Sequence, residues 1–194
     1  MGFPKHRIRI GDRSILQHLI ERLGGAFDEV LIVGAAPTDL PSRVRCAEDL
    51  HPIRSPLAGI HSGLTAAAHD LSFVIGCDMP HVHPSLVKLL IGRSTGADVV
   101  VPRVGGFYEP LCAAYRRTAL PAIERAIERR CHKITAVYED LRVVEILEAD
   151  VREADPELRS FININTRDQL TAIADTRFSG EPFGPAPPTP GPNR

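Results

Sequence analysis

The chain has 194 residues, 43% of them hydrophobic and 24% charged, with a net charge of −1. That length suits one α/β domain with a substantial core rather than two, and the near-neutral charge supplies no attraction toward nucleic acid or an anionic membrane surface. No apolar run approaches the ~20 residues of a membrane span, the start Met1-Gly2-Phe3-Pro4-Lys5 lacks the apolar segment of a signal peptide, and Cys46, Cys77, Cys112 and Cys131 form no CxxC pair; a cytoplasmic protein with free thiols is predicted.

In chain order, Lys5-His6-Arg7-Ile8-Arg9-Ile10 alternates polar and apolar residues as a short half-exposed strand does, and Gly11-Asp12-Arg13-Ser14 breaks it. Ile15, Leu16, Leu19, Ile20 and Leu23 fall at helical spacing, with Gly24-Gly25 as the stop. Val30-Leu31-Ile32-Val33 reads as a buried strand that turns out through Gly34-Ala35-Ala36-Pro37, and Val44–Glu48 as a further strand delivering Asp49 to a loop. Pro56 suits the first turn of a helix expected to reach about His69. Its small residues Ala58, Gly59 and Ser62 admit close approach, by a sheet or by a ligand.

Ser72-Phe73-Val74-Ile75-Gly76-Cys77-Asp78-Met79-Pro80 is the central stretch. Its apolar run reads as a strand buried on both faces, the habit of parallel sheets, and Pro80 forbids its continuation, so Asp78 is predicted at the carboxyl end. Open α/β sheets bind ligands at that edge. A carboxylate there can hold a hard cation such as Mg²⁺, which favours oxygen ligands and arrives with substrate phosphates; it can equally cap the following turn. His81-Val82-His83-Pro84 lacks a third ligand and is read as an exposed loop, not a metal site.

Helices are predicted over Leu86–Ile91 and Ala119–Arg130, and strands over Asp98–Pro102, Leu111–Arg116 and Val143–Leu147. Phe161-Ile162-Asn163-Ile164-Asn165-Thr166 alternates apolar and amide residues, and Thr166 with Gln169 forms a capping box for a short helix through Ile173. Beyond Asp175 the proline- and glycine-rich sequence predicts a disordered tail over 176–194. Strands alternating with helices predict an α/β fold with a mainly parallel sheet flanked by helices, the late strands admitting an antiparallel member.

Together Met1-Gly2 with Lys5 and Gly11, Asp49-x-x-Pro52, Pro56-Leu57-Ala58-Gly59, Cys77-Asp78-Met79-Pro80, Glu109-Pro110-Leu111 and Asn163-x-Asn165-Thr166 resemble the molybdenum cofactor guanylyltransferase family, over roughly residues 1–175. The resemblance implies a Rossmann-like nucleotidyltransferase fold and transfer of GMP from GTP to molybdenum-molybdopterin with release of pyrophosphate. It implies Lys5 and Asp78 as catalytic residues, with Lys5, Asp49 and Asp78 binding GTP, Asp78 holding Mg²⁺, and Asn163 and Asn165 as amides near the active site. Molybdoenzyme maturation proteins are the partners it suggests.

Two departures from the family pattern stand out. Its glycine-rich phosphate loop, Leu-Ala-Gly-Gly through Arg-Met-Gly, is matched only by Met1-Gly2, so the domain reads as N-terminally incomplete and its inner strands as short of a partner. Gly34-Ala35-Ala36 also stands where relatives often carry an asparagine. The alternatives are a non-catalytic relative or partner subunit that binds nucleotide or pterin, and a cytidylyltransferase of the same superfamily.

Overall fold

The structure is a computed structural model that describes residues 9–10, 13–34, 40–52 and 55–164. Lys5, the turn at Ala35-Ala36-Pro37, Asn165, the Thr166–Gln169 capping box with its helix, and the tail from residue 176 lie outside the described residues.

Local chemistry sets the helix starts. Helix α1 (Ile15–Leu23) begins at a capping box: Ser14 Oγ accepts the Gln17 N–H at 3.2 Å, and the Gln17 side chain accepts the Ser14 N–H at 2.8 Å. Helix α2 (Pro56–Ala66) starts at Ser55, whose Oγ accepts the Ala58 N–H, with Pro56 in the first turn as predicted. It stops short of His69 because tertiary bonds replace helical ones. The Arg117 side chain takes the Ala67 and His69 carbonyls, and Glu29 takes the Ala68 N–H. Helix α3 (Pro84–Gly92) is capped by His83, whose Nδ1 accepts the Ser85 N–H at 3.2 Å.

The first ladders are short: β1 (Arg9–Ile10) pairs antiparallel with β2 (Arg13–Ser14), and β3 (Val30–Val33) pairs parallel with β4 (Val44–Ala47). A five-stranded sheet follows. In it β5 (Leu71–Ile75) and β6 (Val99–Val104) both run antiparallel to the strand between them, β8 (Cys112–Arg116). The turn Gly105-Gly106, both glycines at positive φ, returns β6 into β7 (Phe107–Tyr108), and β9 (Val143–Leu147) adds to β6 in parallel. The α/β class holds, with a mixed sheet: β7 and β8 are the antiparallel members that the second half admitted, since the chain returns from β6 through tight turns rather than through a helical crossover.

Side-chain alternation in the five-stranded sheet builds one core on each face. Cys112, Ala114 and Val100 point to a core shared with α1, α3 and Val151 of α5 (Glu148–Ala154), whereas Ala113, Tyr115, Val99 and Val101 point to a core shared with α2, Ile123 of α4 (Leu120–Glu128) and the 3-10 segment Ile134–Asp140. Helices on both faces of a sheet make three layers. Asp98 pins the α4 side: its carboxylate accepts from Arg142 N–H and Nε at 3.0 Å each, from Arg142 Nη2 at 2.8 Å, and from Thr118 Oγ1. The Arg142 bonds hold its carboxyl far below the usual carboxylate range.

One expectation is corrected. Strands β3 and β5 are not buried on both faces; every residue of each is half-buried. Among the described residues β3 pairs only with β4, and β5 only with β8, so each strand has one edge that no described strand pairs. Helix α2 spans the two sheets, packing into the core beneath β5 while Gly63 comes so close to β3 that a β-carbon there would meet Val33 Cγ2 at 3.3 Å. The rings of Phe27 and Phe73 stack, with centroids 6.1 Å apart.

Candidate active site

Three segments with chemistry follow strand ends, two in the β3–β4 ladder and one in the five-stranded sheet. Val33 ends in Gly34, whose φ of +91° suits glycine, and the Gly34 N–H donates to the Ala47 carbonyl at 2.9 Å, holding the ends of β3 and β4 side by side. Asp49 follows β4. Asp78 follows β5, and the Gly76 N–H donates to the Leu111 carbonyl at 2.8 Å, which seats the Glu109-Pro110-Leu111 turn beside the Asp78 loop. Asp49 and Asp78 each follow the carboxyl end of a strand, the position at which open α/β sheets bind ligands.

Asp49 lines an open hollow of about 760 Å³ together with Val33, Gly34, Glu48, His51, Pro52, Ser55 and Pro56. Hollows of this size take nucleotide-sized ligands. Ser55 and Pro56 at the amino end of α2 form part of its wall, so the positive dipole end of that helix favours an anionic group there. The Asp49 carboxylate is held from the protein side through one oxygen: Oδ1 accepts from the His51 N–H at 3.2 Å and lies 3.2 Å from Ser62 Oγ.

Asp78 is half-buried at the end of β5 as predicted, with its carboxylate folded back over Gly76, where a β-carbon would lie 2.7 Å from Oδ1. Its carbonyl accepts the Ile164 N–H at 2.9 Å, which brings exposed Asn163 to within one residue of that bond. Among the described residues no group of three or more His, Cys, Asp or Glu gathers to hold a metal. A single carboxylate at an open sheet edge still fits Mg²⁺, which binds through one or two carboxylates plus substrate phosphates and water and does without a protein cage. Lys5 and Asn165 lie outside the described residues, so of the five predicted site residues the structure places Asp49, Asp78 and Asn163.

Other titratable groups to which the sequence assigned no role stand near these segments. The Glu109 carboxyl is raised by burial. The Cys112 thiol, fully buried, is pushed well above its ordinary range by desolvation and then by the Glu109 and Asp155 charges, which makes it an inert packing group. His51 and His61 meet at 3.0 Å, Nε2 to Nδ1, and His61 Nε2 lies 3.3 Å from Glu124 Oε1. Their separation in sequence, 10 and 63 residues, hid that contact.

An α/β sheet with helices on both faces has solved counterparts among nucleotidyltransferases. The fold is shared with 2-C-methyl-D-erythritol 4-phosphate cytidylyltransferase from Thermus thermophilus, at a TM-score of 0.68 and 16% identity over 89% of this chain and 93% of that one. Molybdopterin-guanine dinucleotide biosynthesis protein A from Archaeoglobus fulgidus superposes with a TM-score of 0.76 at 30% identity, covering 90% of this chain and 91% of that one. The MobA-like NTP transferase domain matches residues 1–144. The molybdenum cofactor guanylyltransferase of Desulfosudis oleivorans is 39% identical over 160 residues, 81% of this chain and 79% of its own length, and the probable molybdenum cofactor guanylyltransferase of Methanosarcina mazei is 37% identical over 171 residues, 81% and 76%. The protein is a nucleotidyltransferase. It belongs to the MobA-like NTP transferase family. No helix among the described residues is long and apolar enough to cross a membrane.

Proposed function

We propose that the chain transfers GMP from GTP to the terminal phosphate of molybdenum-molybdopterin. An oxygen of that phosphate, ionised at neutral pH, forms the new bond to the α-phosphorus of GTP; the bond from that phosphorus to the bridging oxygen breaks, and pyrophosphate leaves with the electron pair. The protein needs no nucleophile of its own, since such transfer is driven by positioning and by offsetting negative charge. Residues 1–175 form the nucleotidyltransferase domain in this reading, and the family match over 1–144 supports it.

The observation that carries the proposal is a hollow of about 760 Å³ lined by Asp49 beyond the end of β4, together with a second carboxylate, Asp78, beyond the end of β5. Asp49 accepts the N1–H and N2–H of guanine, a pair of donors that a carboxylate matches. Asp78 holds Mg²⁺, which supplies charge neutralisation for the triphosphate when bound. Lys5 adds a point charge on the phosphates, and Asn163 and Asn165 serve as amide donors in the active site. The reaction belongs in the cytoplasm, and molybdoenzyme maturation proteins are the natural recipients of its product.

The test is pyrophosphate release by the protein given molybdenum-molybdopterin, Mg²⁺ and either GTP or CTP, with the dinucleotide product followed by mass. Turnover with GTP and not CTP is expected. Equal turnover with CTP would move the chain to the cytidylyl branch, and failure with both nucleotides would remove the proposed activity.

A further inference from the structure

We infer that Ser62 is the positioning residue that sets Asp49 for base recognition. The inference rests on the reading of Asp49 as the guanine acceptor. Ser62 sits on α2 at 1% exposure, and its hydroxyl makes three close approaches: it accepts the Leu50 N–H at 3.0 Å, and its oxygen lies 2.9 Å from the Ala58 carbonyl and 3.2 Å from Asp49 Oδ1. A hydroxyl has one proton and two lone pairs. With a lone pair given to Leu50, the proton is shared between the carbonyl four residues back and the carboxylate, and an ionised acceptor forms the stronger bond.

The geometry leaves one side of the carboxylate open. Both protein contacts, from Ser62 and from the His51 N–H, converge on Oδ1; Oδ2 takes no hydrogen bond from a described residue, and Asp49 lines the hollow. The acid is therefore anchored through one oxygen and presents the other to a ligand. Neighbouring His61 moors the same loop: its ring meets that of His51 at 3.0 Å while Glu124 on α4 stands at 3.3 Å on its far side. Leu57, Ile60 and Leu64 fix α2 in the core, so three consecutive loop residues, 49 to 51, rest on two consecutive positions of a rigid helix. Preorganised acceptors of this kind bind without a further ordering cost.

The experiment is a double-mutant cycle in the full chain, with Asp49→Ala, Ser62→Ala and both together, reading the dissociation constants of GTP and of ITP, which lacks the N2 amine. Ser62→Ala is expected to weaken GTP by about 2- to 12-fold, the range for one ordinary hydrogen bond. It should lower the GTP:ITP preference, raise KM with kcat kept, and do nothing further once Asp49 is alanine. Alanine is the better helix former, and Ser62→Cys, close in shape but a weak donor, should give the same pattern at reduced size. Equal loss for GTP and ITP, or an undiminished loss in the Asp49→Ala background, would make Ser62 a packing residue and overturn the inference while the reading of Asp49 stands. A GTP:ITP preference untouched by Asp49→Ala would remove that reading, and the inference with it.

Discussion

The backbone N–H of Ile164 donates to the backbone carbonyl of Asp78 at 2.9 Å, across 86 positions of sequence. Ile164 is itself fully buried in the core shared by α1, α3 and α5. The Asp78 loop is thus clamped from two sides, by Ile164 at Asp78 and by Leu111 at Gly76. A loop fixed at its backbone leaves the side chain to be replaced without disturbing the fold.

Asp78→Ala is therefore expected to melt within a few degrees of the parent protein and to lose GMP transfer. The carboxylate sits outside the two cores and is half-exposed, so its removal opens no cavity. Thermal melting and pyrophosphate release on one preparation check both halves. Full turnover in magnesium would end the assignment.

For Asp49→Ala, weaker GTP binding by about 1.5–3 kcal/mol is expected, the cost of losing a hydrogen bond to a charged group. ATP and CTP, which lack the N1–H and N2–H pair, should change much less. Calorimetric titration with the three nucleotides decides it, and a uniform loss would reassign Asp49 to the ribose, the metal or the loop itself.

Tyr115→Phe tests the support beneath the Glu109-Pro110-Leu111 turn. Tyr115, wholly buried, donates to the Pro110 carbonyl at 2.9 Å and meets the Tyr138 hydroxyl at 3.1 Å. Burial pushes the Tyr138 phenol up to about 12, so the pair stays neutral and hydrogen-bonded throughout the working range. Removing the Tyr115 hydroxyl strands the buried Tyr138 hydroxyl and the half-buried Pro110 carbonyl and should lower stability by about 1–3 kcal/mol in urea titration. Unchanged stability would mean water replaces the hydroxyl.

Asp98→Asn addresses pH. Its carboxyl is depressed in the folded state, so its contribution is present above the unfolded value near about 3.9 and is lost as pH falls toward the folded one. The substitution should lower stability by about 1–3 kcal/mol at neutral pH, through weakened bonds to Arg142 and Thr118. The gap in Tm between parent and variant is then expected to shrink below about pH 4. A constant gap from pH 7 to 3 would show that the carboxylate charge plays no part.

Long apolar signals were legible from the sequence: the α1 periodicity, the β9 run and the proline-started α2 all stand close to where they were expected. Helix α5 was not, because its seven residues bury only Val151 and so carry no period. The 3-10 segment Ile134–Asp140 escaped for a related reason, a single short turn of Ile134, Val137 and Tyr138. Phe161-Ile162-Asn163 alternates like a strand, yet Arg159–Phe161 is a 3-10 turn, since Asp155 captures the N–H groups of Arg159 and Ser160. At the site, Asp78 was readable because Pro80 marks the strand end. Ser62 was visible only as a small residue; its bond to the Asp49 loop exists because a loop folds onto a helix face, which no spacing rule encodes.

The edges of β3 and β5 that no described strand pairs bear on how a ligand would be registered. The Asp49 hollow belongs to the β3–β4 ladder and Asp78 to the five-stranded sheet, and among the described residues these ladders are joined by side-chain packing on α2 and by the Phe27–Phe73 stack, not by a shared row of backbone bonds. Segments coupled only by packing open separately, at lower free energy than the whole molecule. Amide protons at the facing edges should accordingly exchange faster than those of β6 and β8. A nucleotide with its base on one unit and its phosphates on the other would act as the missing cross-tie, so that binding is read out as slowed exchange along a seam that no ligand atom touches.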